Sequence, residues 1–277
     1  MEKTTSGIQS VERALHILET LSACSSGCSV TDISKTTGLN KSTVFRMLQT
    51  LRSGGYVYQE KETEYYHIGY KILELSSNIL DSLDIRQIAH ATLEKCCTNT
   101  GEIVHLCILD GTACVYIDKI ENEQRAIRMN SKIGKHVPFY VSSAGKCLVA
   151  WMPEKEKNEL MSKIQFERFT ETTIDNCNDL TQELDDVRAS CYALDLMEVQ
   201  ENVLCIAAPI FNAKDSVIAA VSISVGAWNL SKELYECMKK EVHMAAKTVS
   251  RYLGFNDYPE KTKENPKEEK LLEKYLI

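Results

Sequence analysis

No part of the 277-residue sequence stays apolar for the roughly 18 residues that a helix needs to cross a bilayer. The opening MEKTTSGIQS lacks the apolar segment of a secretion leader, so the chain is expected in the cytosol, without a membrane partner. Histidine is sparse: the six residues are scattered, and none falls in an H-x-x-x-H or H-E-x-x-H pattern. There is no G-x-S-x-G nucleophile elbow. The run SSAGKC matches the end of a phosphate-binding loop, but Tyr140 replaces its first glycine. Cys147 also stands where a magnesium-binding hydroxyl is needed. No enzyme, metal or cofactor is therefore expected.

Cysteine, by contrast, is plentiful, with 11 residues. Cys24 and Cys28 are spaced C-x-x-x-C and Cys96 adjoins Cys97, yet neither pair has a second pair or a histidine at zinc spacing. Free, mostly buried thiols are expected.

Acidic residues are missing from one place where they matter. The stretch from Gly38 to Val57, GLNKSTVFRMLQTLRSGGYV, carries Lys41, Arg46 and Arg52 and no acid, in a chain of net charge -7. Residues 1–80 hold 8 basic and 8 acidic residues, so the whole surplus lies further on. A locally basic window in an acidic chain suits a local contact with phosphates.

Around that window, Val11, Ala14, Leu15, Leu18 and Leu21 recur at helical spacing, with Ser10 as N-cap. Ser29-x-x-Asp32 has capping-box form and opens a second, short helix that Gly38 closes. Asn40 caps a third, whose inward stripe is Val44, Leu48 and Leu51. Gly54 and Gly55 then lead to two short aromatic runs around KETE, a β-hairpin. Three helices and a hairpin outline a winged helix-turn-helix over residues 8–69. On the third helix, Ser42, Arg46 and Gln49 line the outward face with groups that hydrogen-bond base edges. Lys41 and Thr43 in its first turn, and Lys61 at the tip of the wing, suit backbone phosphates.

Residues 70–83 read as a linker helix with an apolar seam of Ile72, Leu75 and Ile79. Beyond them, over residues 84–254, strands and helices mix. Asp110-Gly111 joins one hairpin, and VLCIAAPIF with SVIAAVSISV forms another. The class is α+β, an antiparallel sheet with helices on it. Alternation places Ser222 and Ser224 on one strand face, suited to a small polar ligand. Asp195 in YALD and the backbone N–H groups of Ser143 and Ala144 at a helix start are further candidates. The Lys- and Glu-rich segment 255–277 is expected to be mostly disordered.

VERALHILETL, DISKTTGLNKSTVFRMLQTLRSGGYV, TGEIVHLCILDG, IGKHVPFYVSSAGKCLVAW, CYALD and CIAAPIFN with VIAAVSISV resemble, in order, the IclR family of bacterial transcription regulators. The resemblance covers about residues 8–253. It implies a winged helix-turn-helix, a linker helix and a GAF-like effector domain. Its partners would be a palindromic DNA operator and a small organic-acid or sugar-acid effector. Members act as homodimers or dimers of dimers, most of them as repressors. Carried over, the effector contacts fall on Ser143, Ala144, Asp195, Cys205, Ser222 and Ser224. The segments around them are closest to the branch responding to 2-keto-3-deoxygluconate-type sugar acids. Two departures stand out. Relatives often carry Gly-x-Arg before the cysteine, where this chain has Asn202 and Leu204, and Phe45 replaces a polar recognition-helix residue. A competing reading is a small-molecule sensor whose winged helix binds protein rather than DNA.

Overall fold

The computed structural model describes residues 8–75, 84–121, 131–259 and 263–275. The chain divides into two compact units, residues 1–83 and 84–277.

In the first unit, helices α1 (Gln9–Ser22), α2 (Val30–Thr37) and α3 (Lys41–Ser53) precede strands β1 (Val57–Gln59) and β2 (Tyr66–Ile68). The expected capping box closes at α2: the Asp32 amide donates to Ser29 Oγ and the Ser29 amide to Asp32. Gly38 takes the left-handed conformation (φ 69°) that lets the chain turn sharply into α3. Asn40 caps α3 through the Thr43 amide at 2.8 Å. Helix α1 departs from expectation. It begins two residues early, Ile8 occupies the N-cap, and no side chain caps it there.

Ile17, Leu21, Ile33, Val44, Leu48 and Tyr66 form the core of this unit. Paired backbone hydrogen bonds between Cys28 and Tyr66 tie the loop before α2 to the wing. Residues 71–75 are helical, with Leu73 and Leu75 exposed. The rest of the expected linker helix, Ile79 included, lies outside the described residues.

The second unit is built on a six-stranded antiparallel sheet. Its strands are β3 (Ile103–Asp110), β4 (Ala113–Ile120), β5 (His136–Pro138), β6 (Ala193–Leu196), β7 (Val203–Phe211) and β8 (Val217–Gly226), in the order β5-β4-β3-β8-β7-β6. The two long hairpins lie where the sequence places them. The short edge strands β5 and β6 carried too few residues to show a period. Helices α4 (Asp84–Thr100) and α8 (Lys232–Tyr252) pack together on one face. On the other face lies α5 (Ser143–Ala150), backed by α7 (Cys177–Ser190); α6 (Glu154–Met161) follows α5 directly. All 11 cysteines are free thiols and seven of them are buried, so most serve as small packing residues.

The C-terminal segment corrects an expectation. Helix α9 (Pro266–Tyr275) is ordered and docked against β6, with Asn265 and Leu271 each 2% exposed. Its composition is polar, but its polar groups find buried partners in the folded domain, which composition alone does not reveal. Among the described residues, no helix is long and apolar enough to cross a membrane.

Candidate functional site

Two surfaces collect the residues singled out in the sequence. The first is on α3. Val44 and Leu48 are fully buried, which turns Lys41, Ser42 and Arg46 outward into solvent, while Thr43 and Gln49 are half-buried on its flanks. The Asn40 side chain accepts from the Ser42 hydroxyl (2.8 Å) as well as from the Thr43 amide, so the first turn is held rigidly. Lys61 is exposed at the tip of the wing. Arg52 instead reaches back to Gln59 of β1 at 3.4 Å. The outward face thus offers a hydroxyl, a guanidinium and an amide without a competing carboxylate. Phe45 is 49% exposed beside them, an apolar ring of the kind that can meet a thymine methyl.

The second surface is the sheet face under α5. Register places Ser222 beside Ala207 and His105, and Ser224 beside Cys205 and Ile103; Asp195 pairs with Cys205 in turn. Paired residues share a face, so Ser222, Ser224, Cys205, Asp195 and His105 stand on one side. Ala207 and Ala193, from the same rows, pack against Ala144, Cys147 and Leu148 of α5. Helix α5 therefore lies across the face carrying the polar groups. The residues opposite in alternation, Val221, Ile223 and Val225, are fully buried. At its N-terminus α5 is capped by Ser142, leaving Ser143 and Ala144 buried in its first turn. Gly145 is required there: a Cβ would lie 2.4 Å from the Phe139 carbonyl oxygen.

The chemistry of this face is neutral where it could have been charged. Burial drives the Cys205 thiol well above its ordinary pKa, and its Sγ lies 3.2 Å from Ser224 Oγ. Burial and the Lys119 ammonium lower His105 to about 3, so its imidazole is neutral. His105 Nε2 meets Ser131 at 2.9 Å, and its ring stacks on Tyr116. Its Nδ1 has no hydrogen-bond partner among the described residues. Asp195 is raised to about 7, first by burial and then by the Glu198 carboxylate, against the opposing pull of Lys146.

Beside Asp195 lies a group of buried charges. Lys146 of α5 is completely buried, with Nζ 3.1 Å from Glu183 of α7 and 2.7 Å from Glu198. It also donates to the Leu194 carbonyl of β6 at 3.1 Å. Burial opposes its charge, but Glu198 and Glu183 outweigh burial and hold its pKa above the ordinary lysine value. Lys267 of α9 joins the same two carboxylates. The Glu198 amide donates to Asp195 Oδ1 at 2.7 Å. Among the described residues, no group of three or more His, Cys, Asp or Glu side chains is placed to hold a metal ion.

Residues 77–251 match the bacterial transcriptional regulator IclR C-terminal family, and residues 10–61 match the IclR helix-turn-helix domain. The chain belongs to the IclR family. It is 38% identical over 248 residues to the HTH-type transcriptional regulator XynR of Escherichia coli K12, covering 90% of this chain and 98% of that one. The HTH-type transcriptional regulator KdgR of the same strain is 34% identical over 259 residues, covering 94% and 98%. The crystal structure of the Thermotoga maritima IclR superposes with a TM-score of 0.74 at 33% identity, covering 90% of this chain and 100% of that one. As an IclR-family member, the protein is a DNA-binding transcription regulator controlled by a small-molecule effector, consistent with the KdgR-type branch. Its matched relatives are regulators, and no catalytic family is indicated.

For this IclR-family chain, sequence reasoning passed over the ion cluster. Lys146 draws notice in the sequence only as part of a failed phosphate loop, and no motif singles out Glu183, Glu198 or Lys267. One signal was available: Lys146 is the lone charge in SAGKCLVA, an otherwise small and apolar helix. Replacing it with Met strands two buried carboxylates with only Lys267 between them. Lys146→Met should lower stability by about 3–5 kcal/mol, read from the midpoint of urea unfolding.

Proposed function

We propose that the exposed face of α3 reads operator DNA through Ser42, Arg46 and Gln49, with Lys41, Thr43 and Lys61 on phosphates. The α5-covered sheet face would hold the effector through Ser143, Ala144, Asp195, Cys205, Ser222 and Ser224, and the effector is a small organic or sugar acid. The observation that carries this reading is the register placing Ser222, Ser224, Cys205 and Asp195 in adjacent rows beneath a helix. Hydroxyls there suit a polyhydroxylated ligand, and the free N–H groups of a helix start suit its carboxylate. We further infer a homodimer. One α3 covers one half-site, and Ile8, Val11 and Leu15 leave an apolar strip along α1 that a second copy would cover.

Three measurements test this. Arg46→Ala should weaken binding to an operator selected from a random duplex library by about 1–3 kcal/mol, if its guanidinium grips a guanine. Failure to enrich any duplex would favour a winged helix that binds protein instead. Ser222→Ala with Ser224→Ala should abolish the response of the operator complex to 2-keto-3-deoxygluconate while leaving ligand-free DNA binding unchanged; equal loss of both would point to misfolding. Loss of the operator complex on adding the ligand marks a repressor, and a tighter complex marks an activator. A protonated Asp195 tolerates a nearby ligand carboxylate and an ionised one repels it. Affinity for an anionic effector should therefore fall as pH rises through about 7, and Asp195→Asn should flatten that dependence.

A further inference from the structure

The family match ends at residue 251, yet the chain beyond it is docked by specific buried contacts. Asn265 donates to Ser190 Oγ (3.3 Å) and to the Tyr192 carbonyl (3.2 Å), and its amide donates to the Tyr192 hydroxyl (3.2 Å). Glu268 accepts from Tyr192 and from Lys239, the latter at 2.6 Å. These anchors carry Lys267 to Glu198 and, at 3.0 Å, to Glu183.

Glu198 is the far end of a turn that begins at Asp195. Met197 within that turn has φ 65°, a left-handed conformation that a side-chain-bearing residue keeps only when its surroundings impose it. On one side, hydroxyls impose it: Thr172 donates to the Leu196 carbonyl (2.9 Å), Thr170 to Met197 (2.7 Å) and Thr173 to Glu198 (2.8 Å). On the other side, the hold is ionic, through Lys146 and Lys267 on the Glu198 carboxylate.

We propose that the C-terminal segment, residues 263–275, is a latch on the ligand site, with Lys267 the positioning residue that fixes the Asp195–Glu198 turn. The proposal rests on the assignment of Asp195 to that site. With the segment docked, Lys146 and Lys267 face Glu183, Glu198 and Asp195. With it released, Lys146 alone faces the same three carboxylates. The remaining field then disfavours an ionised Asp195, and the Glu198 amide loses part of what holds it against Asp195.

The test uses the whole 277-residue chain. Asp carboxyl carbons are labelled and titrated by NMR, Asp195→Asn identifies the Asp195 resonance, and hydrogen exchange is followed at the Glu198 amide. In Lys267→Gln the Asp195 midpoint should rise by about one unit, and Glu198 exchange should accelerate. Lys267→Arg, which keeps the charge, should restore both. Asn265→Ala combined with Glu268→Ala, which removes both sets of anchors with Lys267 intact, should reproduce the Lys267→Gln result. That variant also decides the matter should Lys267→Gln not fold. An Asp195 titration and a Glu198 exchange rate equal to wild type in the folded variant would overturn the latch. The ligand-site assignment fails by a different sign, an Asp195→Asn protein whose affinity for 2-keto-3-deoxygluconate keeps the wild-type value both below and above pH 7.

Discussion

A single ammonium group with no access to water constrains the whole effector unit. Removing Lys146 from solvent costs several kcal/mol unless every proton on Nζ finds an acceptor and the charge finds a counterion. Its acceptors come from Glu183 on α7, the Leu194 carbonyl on β6 and Glu198 in the turn after β6. Satisfying one side chain therefore fixes three segments distant in sequence around α5. Hydrophobic burial could hold α5 against the sheet in several neighbouring registers, because alanine, cysteine and leucine pack without direction. The ion cluster accepts far fewer, and so fixes where the start of α5 lies over the strands.

The two units use charge in opposite ways. In the first, the described core holds no ion pair, and the basic groups of α3 point outward where solvent screens them until a polyanion arrives. In the second, charges are turned inward and nearly cancel, leaving a sheet face of hydroxyls, thiols and a neutral imidazole. A surface that must approach many phosphates gains from unpaired cations. A unit that must select one small molecule gains from groups fixed in place, since every unpaired buried charge costs more than any one contact returns.

The parts legible in the sequence were those governed by local rules. Capping residues, Gly38, the helical stripe of Val44 and Leu48, and the alternation at Ser222 and Ser224 all act within a few positions, and the structure places them as read. The parts that were not legible depend on tertiary contacts. The ion pairs among Lys146, Glu183, Glu198 and Lys267 join residues up to 84 positions apart. Strands β5 and β6 are too short to show a period, and α9 is ordered by partners rather than by propensity. Ser10 failed as a cap for a smaller reason. The helix starts two residues earlier, with Ile8 at the N-cap and no acceptor side chain there.

The missing arginine ahead of Cys205 acquires a physical setting from this cluster. The family resemblance implies a guanidinium there, whereas this chain has Leu204, which is buried. Positive charge near Asp195 comes instead from Lys146 and Lys267, and both are occupied by glutamates. At the proposed site an acidic ligand would meet partial charges, from a helix start and hydroxyls, rather than a free cation. Partial charges attract weakly at a distance and depend strongly on orientation. A site built this way would discriminate by the arrangement of a ligand's hydroxyls more than by its charge.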